Sequence, residues 1–178
     1  MSIFTNPASS SREDAAAYTA ALLGLLGTQR PIDVLASTPA ELEKLIAGVD
    51  SKRLAKPEAP GKWSVRHVLA HLADAEIVGA WRFRMILAHD HPPIQGYDQD
   101  AWANNLWYDE AESRQSLDTF TALRGWNVRL LERASPEQLR RVGIHAERGE
   151  ESVEHLIKMY AGHDLLHRNQ IRRILDAV

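Results

Sequence analysis

The chain has 178 residues, 44% of them hydrophobic and 25% charged, the composition of a globular protein able to bury a full core. A net charge of -3, with no run of lysine and arginine, argues against a nucleic-acid-binding surface. Cysteine is absent, which excludes disulfides, thiolate zinc sites and cysteine nucleophiles, so any metal must be held by nitrogen and oxygen.

Residues 1–10 are small and polar and are expected to form a flexible arm, with 11–178 as a single domain. Arg12 is followed by Glu13 and Asp14, so the front lacks the net positive start of a signal peptide. The longest apolar stretch, Ala15 to Gly27, is broken by Thr19 and is too short to span a bilayer. Together these features predict a cytoplasmic protein with no membrane partner. Ser11 can cap a first helix running to about Gly27, with Glu13 and Asp14 in the turn where a helix N-terminus favours negative charge. Thr38-Pro39-Ala40-Glu41 reads as a capping box with proline first, predicting a second helix to about Val49. The two could instead be one element kinked at Pro31. Pro57, Pro60 and Gly61 predict an irregular loop from Ser51 to Lys62.

Ser64 then caps the longest predicted helix, Val65 to about His89. Its apolar face carries Val65, Val68, Leu69, Leu72, Gly79, Ala80, Phe83, Ile86 and Leu87. Glu76 falls in the middle of that face and needs a partner there, such as Arg82, Arg84, a histidine or a metal. A long loop follows, His89 to Asp100, with Asp98 able to cap a short turn through Trp102. A further helix fits from Ser113 or Arg114 to about Arg133, with Leu117, Phe120, Leu123, Leu130 and Leu131 inward. Ser135-Pro136-Glu137-Gln138 marks a short helix. Gly143 to Gly149 is a polar connection, a turn or short hairpin, before the last helix, Ser152 to Ala177. No segment alternates with period two over a strand's length, so the expected class is all-α, a four-helix bundle with short extra helices.

Two histidines stand out on the last helix. His163 and His167 are four residues apart, so they stack on one face, on or beside the apolar stripe of Val153, Leu156, Ile157, Tyr160, Ile171, Ile174 and Leu175. A lone core histidine is an ordinary structural residue, but a stacked inward pair needs partners for both rings, and one metal ion could serve both. His71, its neighbour one turn earlier His67, and the loop residue His145 are the candidates to complete a three-histidine site, which would leave positions open for water or substrate. The spacing is also that of a zincin, but Asp164 stands where that motif has glutamate, and the shorter carboxylate would reach a metal-bound water poorly. The five tryptophans are read as packing residues, with Trp102 beside Tyr97 and Asp98 the one worth watching near a site.

In order and spacing, Trp63-Ser64, His71-Leu72-Ala73-Asp74, Tyr97-Asp98, Trp102, His145, Gly149-Glu150 and Tyr160-Ala161-Gly162-His163 through His167 resemble the DinB-like superfamily. The resemblance spans roughly Arg53 to Leu175 and is nearest to the metal-dependent hydrolase-like branch that includes bacillithiol transferase. It implies a DinB-like four-helix bundle, often a homodimer, that binds one divalent ion, zinc or nickel, through His71, His163 and His167. The activity it implies is transfer of a low-molecular-weight thiol, ionised on the metal, to an electrophile; with no cysteine in the chain, the thiol must come from outside. Alternatives are metal-assisted hydrolysis by bound water, and a non-catalytic, stress-associated metal- or ligand-binding protein. Glu76 and His145 are the candidate catalytic bases. Asp74, Glu76 and Asp164 are candidates to orient the histidines, with a surface salt bridge (Asp74) or a core arginine pair (Asp164) as the alternatives.

Overall fold

The computed structural model describes residues 12–146 and 148–178; the predicted arm and the Ser11 cap lie outside them. Four long helices, α2 (Pro31–Ile46), α4 (Val65–Ala88), α6 (Ser113–Leu131) and α8 (Val153–Ala177), form a closed ring in the spatial order α2, α6, α4, α8. Successive long helices α2 and α4, and again α6 and α8, therefore stand across the bundle rather than side by side. Their connections carry the short elements: α3 (Ser51–Leu54) in the first, and α7 (Pro136–Leu139) with a hairpin in the second. Helix α1 (Arg12–Leu26) packs outside the ring against α8. Its close approach is set by Gly162, where a Cβ would stand 2.3 Å from the Leu22 carbonyl oxygen.

The caps predicted at Ser64, Asp98 and Ser135 form, and Ser152 adds one that was not predicted. Ser64 and Ser152 accept from the backbone N–H groups of His67 and His155, and Asp98 accepts from Asp100 and Ala101 at the start of α5 (Gln99–Asn105). Ser135 and Gln138 complete the capping box of α7. Three local expectations are corrected. Helix α2 starts at Pro31, not Thr38, and runs through Pro39. Pro39 has no N–H to give the Leu35 carbonyl, and that carbonyl instead accepts from Arg124 Nη1 at 3.1 Å. Asp50 caps α3 inside the stretch expected to be irregular. A three-stranded sheet also exists, in which β1 (Pro93–Ile94) pairs parallel with β2 (Val142–His145), which pairs antiparallel with β3 (Gly149–Ser152). Strands of two and four residues are too short for alternation to show.

The core has two apolar ends. One gathers Val34, Phe83, Ile86, Val128, Val153 and Leu156; the other gathers Leu42, Val65, Leu69, Phe120, Ile171 and Ile174. Between them lies a polar waist. On α6 the buried residues include Arg124, Asn127 and Val128, while the expected Leu123 and Leu130 are only half-buried. Arg124 donates to both carboxylate oxygens of Asp164 on α8, to Glu76 Oε2 on α4 at 2.8 Å and to Leu35 O on α2, so one side chain ties all four helices. Asn127 Nδ2 donates to the other Glu76 oxygen at 2.8 Å, and Arg84 donates to Asn127 Oδ1 at 2.7 Å. Burial works against the Arg124 charge, yet the Asp164 and Glu76 carboxylates hold its pKa above the ordinary arginine value. Trp81, Trp107 and Trp126 are 64%, 69% and 65% exposed, so they are not the packing residues expected; Trp126 lies under the Arg84 guanidinium. No helix among the described residues is long and apolar enough to cross a membrane.

Candidate metal centre

Helices α4 and α8 face one another in the ring, which brings His71 of α4 against the stacked pair of α8. The Nε2 atoms of His71 and His163 are 3.0 Å apart, and those of His163 and His167 are 3.0 Å apart. His71 and His167 are buried and His163 is half-buried. The ring of Trp63, just ahead of α4, packs on His71 with centroids 5.1 Å apart. Among the described residues these three histidines are the group of side chains whose geometry could hold a metal ion. His67, the rival on sequence grounds, is turned away: its Nδ1 meets Ser64 Oγ at 2.8 Å and its Nε2 meets Asp109 at 3.0 Å.

The protonation chemistry fits a cation. Burial, joined by the neighbouring imidazoles, holds the pKa values of His71 and His163 well below the usual histidine range, and burial pushes His167 down to about 4. All three rings are therefore neutral at neutral pH, the form that ligates metal. Gln170 Oε1, one turn further along α8, lies 2.8 Å from His167 Nδ1; it accepts that N–H and leaves the Nε2 lone pair facing the other two rings. His163 Nε2 has one in-plane site and two nitrogen neighbours, so hydrogen bonding alone cannot satisfy the cluster. His71 Nδ1 is buried with no hydrogen-bond partner. A shared divalent ion would resolve the conflict, with His71, His163 and His167 as the residues that would hold it.

The model for the DinB superfamily matches residues 35–171, which contain all three histidines. The chain belongs to the DinB superfamily. Curated relatives include YfiT of Bacillus subtilis (strain 168), 30% identical over 137 residues that make up 76% of this chain and 77% of YfiT. A Bacillus mycoides (strain KBAB4) protein is 30% identical over 145 residues, 82% of this chain and 83% of its own. A Bacillus cereus (strain 03BB102) protein is 31% identical over 140 residues, 79% and 80% of the two chains. All three are named as candidate metal-dependent hydrolases. The solved structure of YfiT, described as a four-helix bundle of unusual topology, superposes with a TM-score of 0.74 over 98% of this chain and 95% of its own at 24% identity, which establishes the common fold.

In this DinB superfamily bundle a cavity of about 100 Å³ lies beside His163, with α1, α4, the Gly96–Tyr97 segment, the hairpin and α8 as its walls. His145 is on that wall, buried, with Nδ1 3.4 Å from the Arg148 N–H. Burial, helped by the Arg148 guanidinium, pushes its pKa down to about 4, so it too is neutral. A larger cleft of about 650 Å³ between α1 and the hairpin shares His145 and Arg148 with the inner cavity. Glu76 does not line the cavity; its partners are Arg124 and Asn127, not the expected Arg82 or Arg84. Asp164 belongs to the same arginine layer. Asp74 is bound neither to a histidine nor in a surface ion pair: it accepts from the Tyr108 hydroxyl at 2.6 Å. Trp102 stacks on Tyr97, with centroids 4.6 Å apart, and Tyr97 reaches the cavity. Gln170, Tyr18 and Arg148 carry no role in the sequence-based expectations, and Arg82 enters them only as a partner for Glu76. Only Gln170 had a signal, its place one turn beyond His167 on the same helix face.

Proposed function

We propose that the chain is a metal-dependent enzyme in which His71, His163 and His167 hold one divalent ion, zinc or nickel, at the inner end of a small-molecule cavity. The observation that carries this reading is the convergence of three neutral imidazole nitrogens, 3.0 Å apart in sequence along the cluster, beside a cavity able to admit a ligand. When bound, the ion would retain its full positive charge among neutral ligands and lower the pKa of a coordinated water or thiol, making it a nucleophile at neutral pH. Gln170 fixes the tautomer of His167, and Trp63 covers His71. His145 is the proposed proton-transfer group, because it is a neutral imidazole on the cavity wall, whereas both Glu76 oxygens already accept hydrogen bonds.

Hydrolysis, with water as nucleophile, draws support from the names of the relatives. Transfer of an external low-molecular-weight thiol to an electrophile, by a homodimer, is the second reading; the motif set from Trp63 through His167 supports it through its likeness to bacillithiol transferase. One assay separates them. Protein purified without a histidine tag and loaded with zinc or nickel is mixed with a panel of carboxylic esters and amides without thiol, and separately with a thiol and a bimane electrophile. Ester or amide cleavage lost in His163→Ala supports hydrolysis, and thiol conjugation lost in the same variant supports transfer. Rates no higher than those of the free ion in both arms would sink the catalytic reading.

A further inference from the structure

Arg82 is a buried cation with no ion-pair partner among the described residues. It is 8% exposed, it lies three turns beyond His71 on α4, and it lines the same cavity as His163. Its Nη2 donates to the Gln95 carbonyl at 2.7 Å, and its Nε is buried with no hydrogen-bond partner. No carboxylate among the described residues forms an ion pair with it: its Nη2 contact is to a neutral carbonyl, its other side-chain partner is the neutral Tyr160 phenol, and Glu151 acts on it only from beyond ion-pair distance. The other guanidinium on the wall, Arg148, is different, because Glu151 takes it in a two-bond pair at 2.6 and 2.9 Å. His145 is neutral, and the phenols of Tyr97 and Tyr160 are held protonated by burial. Among the described residues the cavity wall thus carries donors and, with two guanidiniums against the one Glu151 carboxylate, a net single positive charge. Leaving a guanidinium so placed is costly in an apolar setting and is offset when an anion arrives with matching acceptors.

We propose that Arg82 is the seat for a carboxylate of the substrate, so that the enzyme acts on a small carboxylic acid whose far end reaches the histidine centre. A single unpaired charge matches a monoanion, and the guanidinium's parallel N–H groups match the two oxygens of a carboxylate. The substrate assignment rests on the proposed function, but the anion seat itself does not require a metal.

The test uses full-length, metal-free protein and calorimetric titration with propionate and with propionamide, its neutral counterpart of the same shape. Propionate should bind at least about tenfold more tightly than propionamide, as expected for a charge-assisted pair shielded from water. Arg82→Gln should abolish the preference, and Arg82→Lys should restore part of it. If Arg82→Gln does not fold by circular dichroism, the ratio of the two ligands on wild type decides alone. Equal binding of the two, binding of neither, or a preference that survives in folded Arg82→Gln would overturn the proposal. Tighter binding of inorganic phosphate than of propionate would overturn the carboxylate assignment. Propionate binding that appears only after zinc is added would overturn the seat while leaving the metal centre intact. Propionate binding in a chain that takes up no metal would uphold the seat and sink the metal reading.

Discussion

His163 and Asp164 are adjacent on α8 yet serve two buried polar clusters with opposite balances. Around Asp164, each group has its complement: the Arg124 guanidinium meets two carboxylates and a carbonyl, and Asn127 bridges to Arg84. Around His163 the groups are alike, three nitrogens facing one another with no donor set to satisfy them. A buried polar group is tolerated when its bonding is complete. The arginine layer is complete within the protein and fixes how the four helices are rotated against one another. The histidine cluster has no such complement among the described residues and is one that a divalent ion would complete, the proposed distinction between a structural layer and a binding centre.

The arginine layer is most vulnerable at Arg124. Arg124→Ala leaves Glu76 and Asp164 buried without their cation and exposes the carbonyl that Pro39 cannot satisfy. Urea unfolding of metal-free protein should show a loss of about 3–5 kcal/mol, the scale for removing one partner of a buried ion pair. A loss near zero would mean that the layer does not hold the bundle.

Arg124 also shows why the two clusters differed in legibility. The histidine pair was visible because both members lie on one helix, where spacing alone places them together, and the motif resemblance added His71. Glu76 announced its need for a partner, but that partner is 48 residues away on another helix, and spacing within α4 points only to Arg82 and Arg84. A signal was present on α6: Leu117, Phe120, Arg124, Asn127, Val128 and Leu131 form one helical stripe, and reading charge and amide along it would have exposed the layer. Pro39 misled for a related reason. Proline after threonine is a good start signal, and only the distant Arg124 makes proline acceptable inside α2. The cavity was the least legible part, since its walls come from α1, α4, the Gly96–Tyr97 segment, the hairpin and α8, and no local pattern links them.

A gentler change acts on the open cluster without touching a ligand. Gln170→Ala removes the acceptor that orients His167, and zinc affinity measured by chelator competition should fall about 10–100-fold, the usual cost of losing such a partner. Stability of the metal-free protein should hardly change, and unchanged zinc affinity would mean that His167 is oriented by packing alone.

The smallest effect belongs to the cavity wall. An unfolded chain protonates His145 near the ordinary value of 6.5, whereas the fold holds its pKa at about 4. Between those values the unfolded state binds a proton that the folded state refuses, so stability rises with pH through this window and is lost as pH falls from about 6.5 toward 4. Urea midpoints measured from pH 7 to pH 4 should show a shallower slope in His145→Gln than in wild type. Identical slopes would place His145 outside this account.

We propose that the histidine cluster is an incomplete site awaiting a divalent ion. The most direct measurement is elemental analysis of protein purified without a histidine tag, as isolated and after dialysis against zinc or nickel, for wild type and His163→Ala. Metal near one ion per chain in wild type, absent from a folded His163→Ala, is the result predicted. No uptake of either ion by wild type would contradict the claim, and the three histidines would then be a packing arrangement of the bundle.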